Sequence, residues 1–300
     1  MSMNKSKIGY FTIDDDGKPT HDYRAWNPFG MGCSGGCPGC WAKALSRRLS
    51  KKGCPDCLAF VPHIHPERLG DAGRRHQPSL VLCNFTNDWM DEGRPFNDVV
   101  RLMDAVRKAP QHGYVSLTQQ AGRLKQALSD GWMMNSFYHG LTIRNQAEAD
   151  VKLPDFFSIP GNLWISYEPV QGALQFRWAS WAPLRGGNEW DGLRPLKGII
   201  VGHDNRRGAP GTDTLDHIRS TVEQCKAAGV ACFVKQIWMV HCPVCGTFRE
   251  SEPPAGGCDC DDFPAKPILL RASHPDEYAL YPAWAKGGKL PWPATPGGNA

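Results

Sequence analysis

Short apolar segments recur along the middle of the chain, and glycine, proline, asparagine or aspartate bounds each of them. Segments of this length are too short for helices and are typical of buried strands. Helical patterns separate them, so the alternation predicts βαβ units in which successive strands pair in parallel. The predicted strands lie at residues 22–27, 79–85, 113–118, 138–143, 162–167, 197–202 and 230–235.

Two of the predicted crossover helices show their apolar face directly. Apolar residues recur three and four positions apart, as an amphipathic helix requires. Seven strands joined in this way predict an α/β fold built as a full or partial (β/α) barrel, with the doubly wound open sheet as the alternative. In either fold, functional groups gather at the carboxyl ends of the strands. The apolar positions are Phe96, Val99, Val100, Met103 and Val106, then Leu215, Ile218, Val222 and Cys225.

Length and composition allow one large barrel domain or two ordinary domains, since the chain has 300 residues of which 41% are hydrophobic. We expect the barrel to occupy residues 1–240. Residues 241–300 carry a cysteine cluster followed by a proline- and glycine-rich tail, which predicts a small appended metal module. Residues 171–195 are rich in tryptophan and glycine and predict an ordered insertion.

Compartment and charge restrict the function further. No apolar run approaches the roughly 20 residues that span a bilayer, and the polar start of the chain lacks the apolar core of a secretory signal. We therefore expect a cytoplasmic protein without membrane contact, whose twelve cysteines are thiols or metal ligands rather than disulfides. The net charge of +4 permits a nucleic-acid partner but does not indicate one.

The first cysteine cluster has the spacing C-x3-C-x2-C, formed by Cys33, Cys37 and Cys40. Three thiolates on one glycine-rich loop can bind three irons of a [4Fe–4S] cluster and leave the fourth iron open to a cosubstrate. Radical S-adenosylmethionine (SAM) enzymes use this spacing, and their open iron binds the amino and carboxylate groups of SAM. The pattern therefore predicts an iron–sulfur site at the end of the first barrel strand.

Zinc offers a second interpretation of the same region. Cys37 and Cys40 form one C-x2-C pair and Cys54 and Cys57 form another, a spacing close to that of a four-cysteine structural zinc site. Cys54 and Cys57 can also form a Cys2His2 site with the histidines of the His63-Ile-His65 segment, or remain free thiols. The four-cysteine interpretation leaves Cys33 without a role.

A further cysteine set lies beyond the last predicted strand. Cys242, Cys245, Cys258 and Cys260 supply four thiolates, enough for a closed structural zinc site. An auxiliary iron–sulfur cluster is the alternative, and the spacing does not separate the two.

Seven short motifs follow one another at the predicted strand ends. They are Trp26-Asn27-Pro28 ahead of the three cysteines, Asn84-Phe85-Thr86-Asn87-Asp88, Ser116-Leu117-Thr118, Gly140-Leu141-Thr142-Ile143-Arg144-Asn145-Gln146, Ser166-Tyr167-Glu168-Pro169, Ile200-Val201-Gly202 and Phe233-Val234-Lys235-Gln236. In order and spacing this set resembles the phage-associated radical SAM-like family, which is distantly similar to spore photoproduct lyase. The resemblance covers about residues 22–238.

The resemblance implies a barrel of the radical SAM type with a [4Fe–4S] cluster, SAM as cosubstrate and an electron donor such as flavodoxin or ferredoxin. A phage or mobile-element setting favours a nucleotide or nucleic-acid base as substrate. This chain departs from the family at Gln119-Gln120-Ala121 and at His203-Asp204-Asn205. Because these positions follow predicted strands, their change points to a different substrate.

Polar residues at the predicted strand ends supply the remaining candidates. Six of them are expected to bind the cofactor, with an ordinary loop cap as the alternative for each. Glu168, Lys235 and Gln236 are the expected catalytic residues, and a buried ion pair between Glu168 and Lys235 is the alternative for those two. The expected cofactor-binding residues are Asn84, Asp88, Asn145, Ser166, Glu168 and Gly202.

Two classes of function follow from these patterns. The first is a radical SAM enzyme that modifies a nucleotide or nucleic-acid base. The second is a non-catalytic zinc-binding scaffold for nucleic acid or protein, in which the C-x2-C pairs hold the structure.

Overall fold

The computed structural model describes residues 3–5, 22–49, 53–129, 136–176, 193, 195–204, 213–242, 244–246, 248–249, 266–272 and 275–286. One mixed sheet organises this part of the chain, and helices connect its strands. The strands are β1 (Met3–Lys5), β2 (Tyr23–Trp26), β3 (Leu80–Cys83), β4 (Gly113–Thr118), β5 (Phe137–Ile143), β6 (Asn162–Tyr167), β7 (Leu196–Gly202), β8 (Ala231–His241), β9 (Phe248–Arg249) and β10 (Lys266–Arg271).

The helices lie mainly between the parallel strands. Two short 3-10 helices accompany them, at Pro66–Arg68 and Ala283–Ala285. The α-helices are α1 (Trp41–Leu49), α2 (Pro55–Ala59), α3 (Asp71–Arg74), α4 (Phe96–Arg107), α5 (Ala121–Ser129), α6 (Gln146–Phe157), α7 (Asp213–Ala228) and α8 (Pro275–Ala279). None of the helices in the described part of the chain is long and apolar enough to cross a membrane.

The seven strands β2 to β8 pair in parallel and in the order of the sequence. Every crossover therefore runs to the adjacent strand, as in a (β/α) barrel, whereas a doubly wound sheet reverses its strand order at a switch point. The sheet formed by the described residues is open, since β1 pairs antiparallel with β2 at one edge and β10 pairs antiparallel with β8 at the other. An α/β fold with an open, mostly parallel sheet is thus confirmed.

The predicted elements agree with the observed strands and helices closely. The apolar residues predicted for two crossover helices fall in α4 and α7, and all seven predicted strands are present. The last strand is the exception in length, since the prediction ended at residue 235 and β8 continues to His241. Pairing with β10 over this extension explains the difference, because β10 covers residues 236–241 of β8.

The C-terminal residues join the same sheet. The expected boundary between residues 240 and 241 falls inside β8, and β9 and β10 both hydrogen-bond to β8. Leu269 and Leu270 of β10 are buried, so this strand extends the hydrophobic core. Residues 243, 247, 250–265 and 287–300, which hold most of the expected metal module and its tail, lie outside the described residues, as does most of the expected insertion at 171–195.

The core explains why these segments form strands. Large apolar side chains on neighbouring strands are completely buried, and the rings of Tyr114, Phe137 and His139 stack on one another or on Trp89. Burial of side chains this large stabilises the folded state by roughly 2–3 kcal/mol each. The core fixes the strands, so the residues that follow their carboxyl ends are held in defined positions.

Candidate functional site

A cavity of about 460 Å³ lies at the carboxyl ends of the parallel strands. This volume is in the range of cavities that hold one small ligand. The loop after β2 supplies three cysteines to its wall. Residues at or just after the ends of β3 to β7, together with Lys235 and Gln236 of β8, supply polar side chains. The lining includes Cys33, Cys37, Cys40, Asn87, Asp88, Thr118, Gln119, Thr142, Arg144, Ser166, Glu168, His203, Asp204, Lys235 and Gln236.

The three cysteines come from one tight loop that ends at α1. Cys40 N–H donates to the carbonyl of Cys37 at 3.3 Å, and α1 begins at the next residue. Gly36 and Gly39 both have positive φ, 59° and 65°, a conformation that a residue with a side chain adopts only at a cost. The glycine-rich sequence is therefore required for the loop to place its thiols on the cavity wall.

Asp91 holds this loop from the outside. Its carboxylate accepts hydrogen bonds from the backbone N–H of Ser34 at 2.7 Å and from the Ser34 hydroxyl at 2.9 Å and 3.0 Å. Cys33 is half-buried, and burial raises the pKa of its thiol to about 11, with the nearby carboxylates of Asp91 and Asp88 acting in the same direction. A positively charged metal centre favours release of that proton. Sequence reasoning missed Asp91, since nothing local connects it to a residue 57 positions earlier.

Asp88 clamps two neighbouring strand ends together. Its carboxylate accepts from the Thr118 hydroxyl at 2.5 Å, from Gln119 N–H at 2.8 Å and from Met90 N–H at 3.0 Å. Burial raises its pKa, although these three hydrogen bonds favour the carboxylate. The clamp places the Gln119 side chain, whose Nε2 donates to the sulfur of Cys37 at 3.2 Å. Asp88 therefore lines the cavity and also has the structural role of a loop cap.

Glu168 and Lys235 form an ion pair on the opposite wall. Nζ of Lys235 lies 3.0 Å from Oε1 and 3.3 Å from Oε2 of Glu168, and the Ser166 hydroxyl donates to Oε2 at 3.3 Å. These residues follow β6 or belong to β8, strands separated by β7. At the intervening position, a Cβ on Gly202 would lie 2.9 Å from Oε1 of Glu168, so glycine leaves the space that the carboxylate occupies. The predicted pairing of Glu168 with Lys235 is present.

His203 presents a defined tautomer at the end of β7. Its Nδ1 accepts the backbone N–H of Trp238 at 3.0 Å, so a neutral ring carries its proton on Nε2. Burial lowers the pKa of His203 to about 4, and the ring is therefore neutral near pH 7. Gln236 fixes the same turn, because its Nε2 donates to the His203 carbonyl at 2.6 Å.

Three of the six expected cofactor-binding residues, Asn84, Asn145 and Gly202, are not among the residues that line the cavity. Asn84 is completely buried, and its Oδ1 accepts the N–H of Phe29 at 3.1 Å. Asn145 is the N-cap of α6, where its Oδ1 accepts the N–H of Glu148 at 3.0 Å. Neither residue lines the cavity, so for both the loop-cap alternative describes the structure.

A second group of metal-binding side chains lies behind the cysteine loop. Cys54, Cys57, His63 and His65 each direct one ligand atom to a common point, and these atoms lie within 4.8 Å of one another. Nε2 of His63 is 3.2 Å from Nε2 of His65 and 3.3 Å from the sulfur of Cys57. Around a tetrahedral zinc ion with its usual bond lengths, such atoms lie about 3.4–3.8 Å apart. The four side chains therefore fit one metal ion such as zinc.

The remaining ring nitrogens of both histidines are engaged outside this group. Nδ1 of His63 lies 2.7 Å from the Val61 carbonyl, and Nδ1 of His65 lies 3.1 Å from Oε1 of Glu67. Metal-binding histidines characteristically donate their second N–H to a carbonyl or carboxylate, which orients the ring. This arrangement turns Nε2 of each ring toward the metal position.

The structure decides how the cysteines are grouped. Cys54 and Cys57 associate with the two histidines, whereas Cys37 and Cys40 line the cavity, so the four-cysteine zinc interpretation is wrong. In the C-terminal set, Cys242 is buried at the end of β8 and Cys245 is exposed in the following turn. Cys258 and Cys260 lie outside the described residues, and the four-cysteine site they were expected to complete stays a prediction.

Comparison with known proteins gives one family. A family described as "Protein of unknown function (DUF5131)" matches residues 20–257, which include every strand from β2 to β9, the cysteine loop and the Cys54, Cys57, His63 and His65 group. No curated protein and no solved structure matches the chain significantly. Since the match covers more than two thirds of the sequence, the chain belongs to this DUF5131 family of unknown function.

Proposed function

We propose that the protein is a radical SAM enzyme whose cluster is held by Cys33, Cys37 and Cys40. The observation that carries the proposal is that these three thiols line the same cavity as polar side chains from six parallel strands and the residues that follow them. In folds of this type, catalytic groups collect at that end of the sheet. The resemblance of the strand-end motifs to the phage-associated radical SAM-like family supports the same function.

The arrangement of the cysteine loop supports a cuboidal cluster rather than a single ion. The three thiols do not belong to the one group of His, Cys, Asp or Glu ligands that converges on a point among the described residues. Ligands of a four-iron cluster bind different irons, so their sulfurs stay further apart than the ligands of one ion. Gln119 would remain within hydrogen-bond distance of the Cys37 sulfur, a contact that tunes such clusters.

The cavity supplies groups for a zwitterionic cosubstrate. When bound, a [4Fe–4S] cluster provides the electron that cleaves SAM to methionine and a 5′-deoxyadenosyl radical. Glu168 and Lys235 offer one negative and one positive charge, and Ser166 and Gln236 lie beside them. His203 offers a neutral ring with its proton on Nε2, a hydrogen-bond donor at pH 7. These side chains would bind and orient SAM or substrate.

The proposed substrate is a nucleotide or a nucleic-acid base, and the proposed electron donor is a flavodoxin or ferredoxin. SAM itself contains a nucleoside, and a cavity of about 460 Å³ is in the size range for ligands of that class. A base in a strand would have to be unstacked to reach it. The mobile-element setting of the family that the motifs resemble supports this class of substrate.

Anaerobic reconstitution with iron and sulfide tests the proposal. We expect about four irons per chain, a reduced-cluster EPR signal that changes when SAM is added, and release of 5′-deoxyadenosine. The triple variant Cys33→Ala, Cys37→Ala, Cys40→Ala should lose all three properties. A control variant with Cys225→Ala and Cys232→Ala, two thiols away from the cavity, should keep them. If the wild type and the triple variant have the same iron content and cleave SAM equally, the proposal is wrong.

A non-catalytic zinc scaffold is the second candidate. The group formed by Cys54, Cys57, His63 and His65 favours it, because a metal ion there would stabilise a loop without any chemistry. Metal analysis of protein purified without oxygen separates the two functions. Zinc without iron, and no SAM cleavage after reconstitution, would support the scaffold.

A further inference from the structure

The segment between β2 and Cys33 lies directly against residues 61–65, the histidine loop, which carries His63 and His65. His65 N–H donates to the Pro28 carbonyl at 2.7 Å, and Gly30 N–H donates to the His63 carbonyl at 3.2 Å. Between them, Phe29 and Ile64 form an antiparallel bridge. The backbone that leads into the cysteine loop is therefore paired with the backbone of the histidine loop.

Two glycines make this close approach sterically feasible. A Cβ on Gly30 would lie 1.9 Å from Nε2 of His63, and a Cβ on Gly32 would lie 2.0 Å from the Val61 carbonyl oxygen. Both distances are far inside van der Waals contact, so no other residue fits without movement of the histidine loop.

A buried arginine connects the same two loops a second time. Arg94 is only 2% exposed, its Nη1 donates to the His63 carbonyl at 2.6 Å, and its guanidinium lies 3.9 Å above the Phe29 ring. Its backbone N–H donates to the carbonyl of Asp91 at 3.0 Å, and the Asp91 carboxylate holds Ser34. Arg94 therefore links His63 to Phe29 directly and to Ser34 through Asp91, and these two residues are the ends of the segment 29–34.

The ligand geometry restricts the metal to one ion. In a two-iron cluster with two cysteines and two histidines, each pair binds a different iron. Here Nε2 of His63 lies 3.5 Å from the sulfur of Cys54 and 3.3 Å from that of Cys57, so histidine and cysteine share one centre. Two thiolates and two imidazoles in a tetrahedron are the ligands of a closed structural zinc site.

We propose that Cys54, Cys57, His63 and His65 bind a structural zinc ion that fixes the position of the Cys33–Cys40 loop. The zinc itself has no catalytic role, because the protein occupies all four of its coordination positions. It holds the histidine loop, and the paired backbone of residues 28–32 then determines where Cys33 enters the cavity. Glu67 and the Val61 carbonyl orient the two imidazoles. This role does not depend on the proposed radical chemistry.

Zinc content tests the site in full-length protein purified from zinc-supplemented medium. His65→Ala should lower the zinc content by about one ion per chain, whereas His65→Cys, which restores a thiolate ligand, should keep it. Because the C-terminal cysteines are a second candidate site, the same comparison is made in a Cys242→Ser, Cys245→Ser background. Equal zinc content in wild type and His65→Ala, in both backgrounds, would overturn the site.

Hydrogen exchange tests the role of the zinc in positioning the loop. Peptides that cover residues 28–34 should exchange faster in His65→Ala than in wild type and should be normal in His65→Cys. A peptide from β5 serves as the internal reference for global stability. Loss of zinc with unchanged exchange at 28–34, or with equally faster exchange in β5, would contradict the anchoring role. The measurement needs neither iron nor SAM, so its outcome is independent of the test of the proposed function.

Discussion

Nζ of Lys235 lies 3.0 Å from Oε1 of Glu168, and this ion pair joins the residue that follows β6 to the middle of β8, past the end of β7. The two side chains are 24% and 16% exposed, so solvent screens the pair only in part. Removal of one partner leaves the other charge in a poorly hydrated position. The pair is therefore both a contact between two strand segments and a pair of opposite charges on the cavity wall.

Glu168→Gln and Lys235→Met should each destabilise the protein, and the double variant should be less destabilised than the sum of the two. We expect a coupling free energy of about 1–2 kcal/mol, because neighbouring charges share one interaction. Urea unfolding of the four proteins measures it. A coupling of zero would show that the two side chains act independently. SAM cleavage, measured on the same proteins, should fall in both single variants.

Asp91→Asn should loosen the cysteine loop. In wild type, one carboxylate oxygen accepts Ser34 N–H at 2.7 Å while the other accepts Gly93 N–H at 3.0 Å. An asparagine offers a single acceptor oxygen, so one of these N–H groups faces an amide donor, at a cost of about 1–2 kcal/mol. Thermal unfolding and hydrogen exchange of residues 33–40 measure the effect.

A matched control for this substitution is Asp104→Asn. Asp104 lies on the exposed face of α4, 3.7 Å from Arg107, where an ion pair contributes little. We expect its stability to stay within about 0.5 kcal/mol of wild type. Similar losses in both variants would argue against a specific role of Asp91 in holding the loop.

The buried His203 should make the protein less stable in mild acid. Burial lowers its pKa to about 4, below the value of about 6.5 for an exposed histidine. Between these two pH values the unfolded chain takes up a proton that the folded protein does not, so unfolding becomes easier as the pH falls. The loss begins near pH 6.5, amounts to about 3 kcal/mol and levels off near pH 4.

His203→Asn should reduce this loss. The amide oxygen of asparagine can accept the Trp238 N–H in place of Nδ1, and asparagine does not titrate. Urea unfolding at pH 7 and pH 4.5 compares the variant with wild type, which share every other titrating group. An identical pH dependence in the two proteins would mean that His203 is more accessible to protons than its burial indicates.

Gly30→Ala should disturb the histidine loop more than the addition of a single methyl group usually does. The added methyl group would meet the His63 ring at 1.9 Å, so the ring must move out of position. We expect a loss of about 1–3 kcal/mol in stability and weaker zinc retention. Gly73→Ala is the control, because the nearest atom to its Cβ is 4.0 Å away and the residue lies in helix α3. That variant should be neutral or slightly more stable.

Much of this protein can be derived from local sequence. The strands and the apolar faces of α4 and α7 follow from the spacing of apolar residues, because burial on one side of a strand or helix imposes a fixed period. The glycine-rich loop of Cys33, Cys37 and Cys40 is likewise recognisable, since its composition reflects its own backbone conformation. Parallel pairing alone places the polar residues that follow the strands at one end of the sheet.

Tertiary structure decided which distant residues meet. Nothing in the sequence around Cys54 states whether its partners are Cys37 and Cys40 or His63 and His65, and only the pairing of residues 28–32 with 61–65 selects the histidines. Likewise, only the folded structure brings Asp91 to Ser34, 57 positions away in the sequence. Asn84 and Asn145 look like ligand-binding residues by position, yet each accepts a hydrogen bond from a backbone N–H and neither lines the cavity.

The physical reason is a difference in range. Secondary structure is set by interactions among residues a few positions apart, which a pattern of polar and apolar residues records directly. A hydrogen bond or a metal ligand set depends on where whole segments pack, and packing is determined by the complete core rather than by the residues that use it. The sequence therefore specifies the elements and their polar ends, and the folded sheet specifies which of those ends form a site.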